Sequence, residues 1–203
     1  MFQIRKSLSS LSPALAKRFG SSLVIADHNN KALNAATLSS ITAAKKFGSV
    51  HVLVAGSDCA AVAAEVSKAA GVDSVILADK PALANFLPEN FASFLKDFIT
   101  AGKYTHVVGA TTSAIKSVIP RLAVAMNVSP ITDVIAIKVT ITRTCTEMQL
   151  LFLTPVALVQ GDDTFVRPIY AGNALSTVRS SDVIKLITVR PTNFEKVLQL
   201  LIV

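Results

Sequence analysis

Three histidines, two cysteines and one hydroxyl run are the residues of this 203-residue chain that could do chemistry. His28, His51 and His106 lie on three separate segments, at no HxH or HExxH spacing, so nothing local would bring two of them to one metal ion. Cys59 and Cys145 make neither a CxxC nor a zinc spacing, and two cysteines are no disulfide framework. Each reads as a small inert thiol in a thiol-tolerant compartment. The run Gly109-Ala110-Thr111-Thr112-Ser113 could offer backbone N–H groups and hydroxyls to a phosphate at a helix start. Yet the chain has no GxGxxG and no Walker motif, and Thr or Ser opening a helix is most often a cap. No nucleophile carries the local signature of a catalytic triad. The expectation is therefore no catalytic, cofactor-binding or metal-binding residue, and no enzyme activity of the chain's own.

The elements that must position these residues are legible as alternating patterns. Apolar runs at 22–27, 49–56, 73–79 and 104–110 read as buried strands. Between them, 34–48, 57–71, 88–102 and 111–127 have helical spacing, with Ser57 and Asp58 as N-cap choices and Pro120 expected to break or kink the last helix. Continuous apolar strands alternating with helices predict an α/β, Rossmann-like, three-layer and mostly parallel sheet. Past residue 130 the strands "DVIAIK", "TFVRPIYAG", "ALSTVRS" and "VIKLITVR" have no helices between them, which predicts a C-terminal antiparallel meander with a hairpin over 164–180. In such a sheet a ligand sits beyond the carboxyl ends of the strands, here Asp27-His28-Asn29, Gly56-Ser57-Asp58, Asp79 and the 109–113 run.

Composition narrows the classes. Half the residues are hydrophobic and 16% are charged, which is the composition of a folded core. Of the net charge of +7, residues 1–22 hold four basic groups and no acid, leaving +3 for the rest. That is a weak field for nucleic acid, and no basic cluster is interleaved with aromatics. The Ser-rich segment "MFQIRKSLSSLSPALAKRFG" places Ile4, Leu8, Leu11, Leu15 and Phe19 on one helical face, with Arg5, Lys6, Lys17 and Arg18 largely elsewhere. It reads as a mitochondrial transit peptide over 1–20, not as a secretory signal.

The segments "SPITDVIAIK", "TFVRPIYAGNALSTV" and "YTHVVGATTSAIKSVIPRLA", with "SSLVIADHNN" and "GVDSVILAD", resemble the N-terminal domain of the electron transfer flavoprotein alpha subunit over 22–138 and 161–196. The run "PIYAGNAL" with "PITDVIAIK" is the more specific part. The resemblance implies an adenine-nucleotide-alpha-hydrolase-like fold and a heterodimer with a beta subunit in the mitochondrial matrix. It also implies electron transfer in fatty acid beta-oxidation, from acyl-CoA and related dehydrogenases to a membrane quinone oxidoreductase. The family's FAD is held mainly by a second, C-terminal domain. With the chain stopping at Val203, a truncated alpha subunit is expected, in which the 21–196 domain is a scaffold that docks the beta subunit, binds no FAD by itself and has no transmembrane segment. A free-standing nucleotide-binding module of the same fold is the alternative.

Within that domain, Val139–Gln160 is foreign to the pattern. It contains the almost wholly apolar "QLLFLTPVALVQ", where Leu150 to Val159, about ten residues broken by Thr154-Pro155, are too short for a bilayer, which needs about 20. The resemblance implies a turn of about three residues in its place, and removing it joins "IAIK" to "GDDTFVRP". Valine codons begin GT, a glutamine codon ends AG, and 22 codons keep the frame, so a retained or mis-annotated intron is the expectation. The tail 197–203 is expected to be atypical too.

Overall fold

The computed structural model describes residues 3–5, 21–140 and 162–198. Its centre is a sheet whose strands are ordered β1-β4-β3-β2-β5-β10-β6. The six parallel strands are β2 (Ser21–Ile25), β3 (Ser49–Gly56), β4 (Ser74–Asp79), β5 (His106–Ala110), β6 (Pro130–Val134) and β10 (Lys185–Val189). The chain winds outward from β2 through β3 to β4, then returns to β5 on the other side, so the switch point lies between β2 and β5.

Among the described residues four α-helices cover the sheet: α1 (Ala35–Ala44), α2 (Ala60–Ser67), α3 (Pro88–Gly102) and α4 (Ser113–Met126). The period-2 alternation of the strands decides which layer each side chain joins. Val24, Val52, Val54, Val108 and Ile187 pack with Ile41 and Ala44 of α1 and Val62 and Val66 of α2. Their neighbours Leu23, Ile25, Leu53, Val107 and Leu186 pack with Phe91, Leu95 and Ile99 of α3 and Ile115, Ile119 and Leu122 of α4. Both faces being buried explains why these strands read as continuous apolar runs. The three-layer, mostly parallel fold predicted from the sequence is the one observed.

Several boundaries differ from expectation, each for a local reason. Pro120 does not end its helix: α4 runs through it, with Pro120 on the exposed side, where water can serve the carbonyl that a proline cannot bond. Neither Ser57 nor Asp58 caps α2. Asp58 adopts a left-handed φ of 56°, its N–H goes to Asp79 Oδ1 at 3.2 Å, and the helix starts behind Cys59 without a side-chain cap. By contrast, Asn34 caps α1 by accepting the Ala36 N–H at 3.1 Å. Gln3–Arg5, inside the expected leader, form a short strand β1, antiparallel to β4. The rest of 1–20, with Lys6, Lys17 and Arg18, lies outside the described residues.

The late strands divide between two sheets. The expected strand "DVIAIK" is not one strand: β6 joins the main sheet, while β7 (Ala136–Thr140) pairs with β8 (Asp162–Ile169). Between them the Ile135 N–H turns to the Val166 carbonyl at 2.9 Å. β9 (Ala174–Arg179) completes an antiparallel sheet ordered β7-β8-β9, the expected meander. "VIKLITVR" leaves it and enters the parallel sheet as β10, between β5 and β6, because Leu186, Ile187 and Val189 are buried on both sides as a central strand demands. The small sheet is anchored through Ile137 and the fully buried Phe165, which lies 6.2 Å from Phe47. Beyond β10, Val197 is buried in the same core and the Leu198 carbonyl accepts the Ala70 N–H at 3.1 Å.

The register of β7 and β8 bears on Val139–Gln160. Residues 141–161, including the apolar run and Cys145, lie outside the described residues. Lys138 stands opposite Thr164, and the ladder continues through Val139↔Asp163 and Thr140↔Asp162. Removing 139–160 would leave Gly161-Asp162-Asp163 to close the hairpin directly beyond the Lys138↔Thr164 pair, a favoured loop length. The connection shortens from 21 residues to three, close to three doublings at about 0.6 kcal/mol of closure entropy each. The deletion forfeits two ladder pairs, so the net gain is about 1 kcal/mol. Thermal unfolding and light scattering of both chains should show a melting temperature raised by roughly 2–4 °C and less aggregation on deletion. An unfolded deletion variant would make the segment part of the core.

Candidate functional site

The carboxyl ends of β2, β3, β4 and β5 converge where an open α/β sheet places its ligands. The structure brings His28, Asn30 and Gly56 together there. His28 is buried, meets the Phe86 ring edge-on at 5.0 Å, and accepts the Asn30 N–H on Nδ1 at 3.1 Å. That bond puts the ring proton on Nε2, which is buried with no hydrogen-bond partner. Asn30 donates Nδ2 to the Ala84 carbonyl at 3.1 Å, tying the loop after β2 to the loop after β4. A Cβ on Gly56 would collide with Asn30 Oδ1, so glycine is needed for this closure. Asn30, Asp58 and Phe86 all hold left-handed φ, of 66°, 56° and 50°. Asp27 is a structural brace: Oδ2 accepts Asn34 Nδ2 at 2.7 Å, and its main chain exchanges hydrogen bonds with Thr37.

The hydroxyl run after β5 does not form a phosphate cradle. Thr111 Oγ1 is committed to the Val189 carbonyl at 2.9 Å, and Thr112, at the N-cap of α4, makes no cap bond and has its Oγ1 buried without a partner. Gly109 is small for packing: a Cβ there would stand 2.6 Å from Ile115 Cγ2. The glycine lets α4 lie close on β5.

His51 and His106 sit at the opposite, amino end of the sheet, across β2 from each other in register with Leu23 and Ser22. His106 stacks on Phe47 at 4.3 Å, and His51 Nδ1 lies 3.0 Å from the Tyr104 hydroxyl. Among the described residues no group of His, Cys, Asp or Glu could hold a metal ion. Cys59 is buried, and burial, then the Asp79 charge, pushes its thiol up, which disfavours the nucleophilic thiolate. Sequence reasoning named His28 and Gly56 but missed Asn30, Phe86 and Ala84; the pairing of loops far apart in the chain left no local signal.

Burial lowers the pKa of His28, outweighing Asp27 and the Ala55 carbonyl, which pull it up. Burial likewise lowers His51, against Asp73. The folded state therefore binds these protons less readily than the unfolded chain, whose histidines titrate near about 6.5. Their contribution is complete above that value and is lost as pH falls through and below it, until the lower folded pKa values are passed. Denaturant unfolding between pH 7.5 and 5 should show stability falling with pH. His28→Gln should flatten that slope, and an unchanged slope would remove His28 as its source.

The family model for the electron transfer flavoprotein domain matches residues 22–200. The "Electron transfer flavoprotein subunit alpha" of Pseudomonas aeruginosa is 43% identical over 177 residues, covering 86% of this chain and 49% of the relative. The mitochondrial alpha subunit of Dictyostelium discoideum is 36% identical over 185 residues, 88% of this chain and 46% of the relative. The probable mitochondrial alpha subunit of Caenorhabditis elegans is 37% identical over 181 residues, 89% and 48%. The chain spans about half the length of the curated relatives it matches. With a doubly covered parallel sheet, a small antiparallel sheet and a match over most of its length, the chain belongs to the electron transfer flavoprotein family.

Proposed function

We propose that this chain is the scaffold half of an electron transfer flavoprotein alpha subunit: it docks the beta subunit and holds no flavin by itself. The observation that carries this reading is the hydroxyl run after β5. Thr111 Oγ1 is committed to the Val189 carbonyl and the run carries no GxGxxG or Walker motif, which supports a half that holds no flavin by itself. The match covers about half of each relative, which supports a division of labour between this half and another. In the complete heterodimer the route runs from acyl-CoA and related dehydrogenases, through FAD held mainly outside residues 1–203, to a membrane quinone oxidoreductase. No described helix is long and apolar enough to cross a membrane.

The purified chain should be colourless, should bind the beta subunit in a pull-down or by calorimetry, and should show no saturable heat with ATP or AMP. A stoichiometric flavin spectrum, or tight nucleotide binding without the beta subunit, would favour the nucleotide-binding module instead.

The mitochondrial matrix is the proposed location. Support comes from the acid-free basic segment 1–20 and from the word "mitochondrial" in the names of the eukaryotic relatives. A reporter fused to residues 1–25 should enter mitochondria, and replacing Arg5, Lys6, Lys17 and Arg18 by Gln should abolish import. Cytosolic retention of the unaltered fusion would refute the leader.

A further inference from the structure

A recess of about 380 Å³ lies where α3 passes over the carboxyl end of β4. Its floor is Ile76, Leu77 and Ala78 of β4, and its wall is Phe94 and Phe98, one turn apart on the same face of α3. Strand alternation turns Ile76 and Ala78 toward α3, while Leu77 packs in the opposite layer. Ala78 is small, and the rings of α3 stack on one another rather than fill the space over it. Phe94 and Phe98 lie 5.9 Å apart with 27° between their planes, and Phe98 continues the stack to Tyr104 at 5.8 Å. Both phenylalanines stay half-buried, so part of each ring faces the recess.

Two charged groups complete the lining, and they are not equivalent. Asp79 Oδ1 already accepts the Asp58 N–H at 3.2 Å. Lys80 is fixed at its main chain, where its N–H goes to the Gly56 carbonyl at 2.9 Å. Its Nζ rests over the Phe94 ring, 5.3 Å from the centroid, and among the described residues it makes no ion pair. Held on a ring face, the ammonium keeps N–H donors for an acceptor in the recess. A small, mostly apolar concavity of about 300–1,000 Å³ with a few placed polar groups is the usual form of a small-molecule site, and this one stands at the lower end of that range.

We infer that this recess binds an aromatic monocarboxylate, whose ring lies over Ala78 against Phe94 and Phe98 and whose carboxylate meets Lys80 Nζ. Charge complementarity selects the anion, and the near-parallel phenylalanine rings select a planar apolar body. Asp79 beside Lys80 opposes a dianionic phosphate, and the apolar lining offers no partners to the polar edges of a nucleotide, so the ligand differs in class from ATP and AMP. The site stands on β4 and α3, apart from the hydroxyl run after β5, and is independent of the scaffold reading.

The test is a titration of the full chain with 2-naphthoate followed in amide NMR spectra. Saturable shifts should centre on residues 76–80 and 94–98. The uncharged 2-naphthamide, of the same shape, should bind at least fivefold more weakly, and Lys80→Gln should erase that preference while leaving the melting temperature unchanged. Ala78→Leu, which fills the recess, should abolish the shifts without lowering the melting temperature. Absence of saturable shifts, or shifts centred elsewhere, would overturn the inference. So would equal affinity for the acid and the amide, or a preference that survives Lys80→Gln. If light scattering shows a dimer of the chain that Ala78→Leu dissolves, the occupant is a second copy, and the inference is overturned as well. Each of these outcomes leaves the scaffold reading as it stands.

Discussion

Burial of the central sheet on both faces is the constraint on which the rest of the molecule depends. Each strand must supply apolar residues at every position, because odd and even residues enter different helix layers. Leu23 and Ile25 face α3 and α4, while Val24 faces α1 and α2. The polar side chains buried within the parallel strands themselves, Ser22, His106 and Thr188, are engaged. Ser22 Oγ donates to the Ser49 carbonyl at 2.7 Å. Thr188 Oγ1 accepts the N–H of Asp133, whose left-handed φ of 56° lies where the pairing of β6 with β10 shifts register. Polar chemistry is thereby expelled to the strand ends.

At the carboxyl ends the fold uses its polar residues to join loops. Asn30 bridges to Ala84, Asp79 receives the Asp58 N–H, and Thr111 turns to β10. Gly56 and Gly109 are both explained by close packing, against Asn30 and Ile115. At these strand ends, side-chain hydrogen bonds and close glycine packing tie loops from distant parts of the chain together.

The small sheet meets the core on one side only. One side of β8 sends Phe165 into the core beside Phe47, while β9 alternates half-buried and exposed residues and contributes no fully buried side chain. Among the described residues it is fastened at one edge and open at the other.

The sequence by itself determined the layers. Apolar continuity at 22–27, 49–56, 73–79 and 104–110, alternating with helical spacing, needs only local information, and the observed strands and helices fall within a few residues of those limits. It also determined the absence of a phosphate motif at 109–113, since such motifs are local in sequence. Only the tertiary structure decided where the later strands go. Nothing within "VIKLITVR" says that it leaves the meander to lie between β5 and β6; that choice follows from the buried slot those strands leave open. The same holds for Asn30 with Ala84, 54 residues apart, for His28 against Phe86, and for Arg167 beside Ser176. Contacts between segments distant in the chain have no period and no spacing to read, because they exist only once the sheet has fixed which strand ends are neighbours.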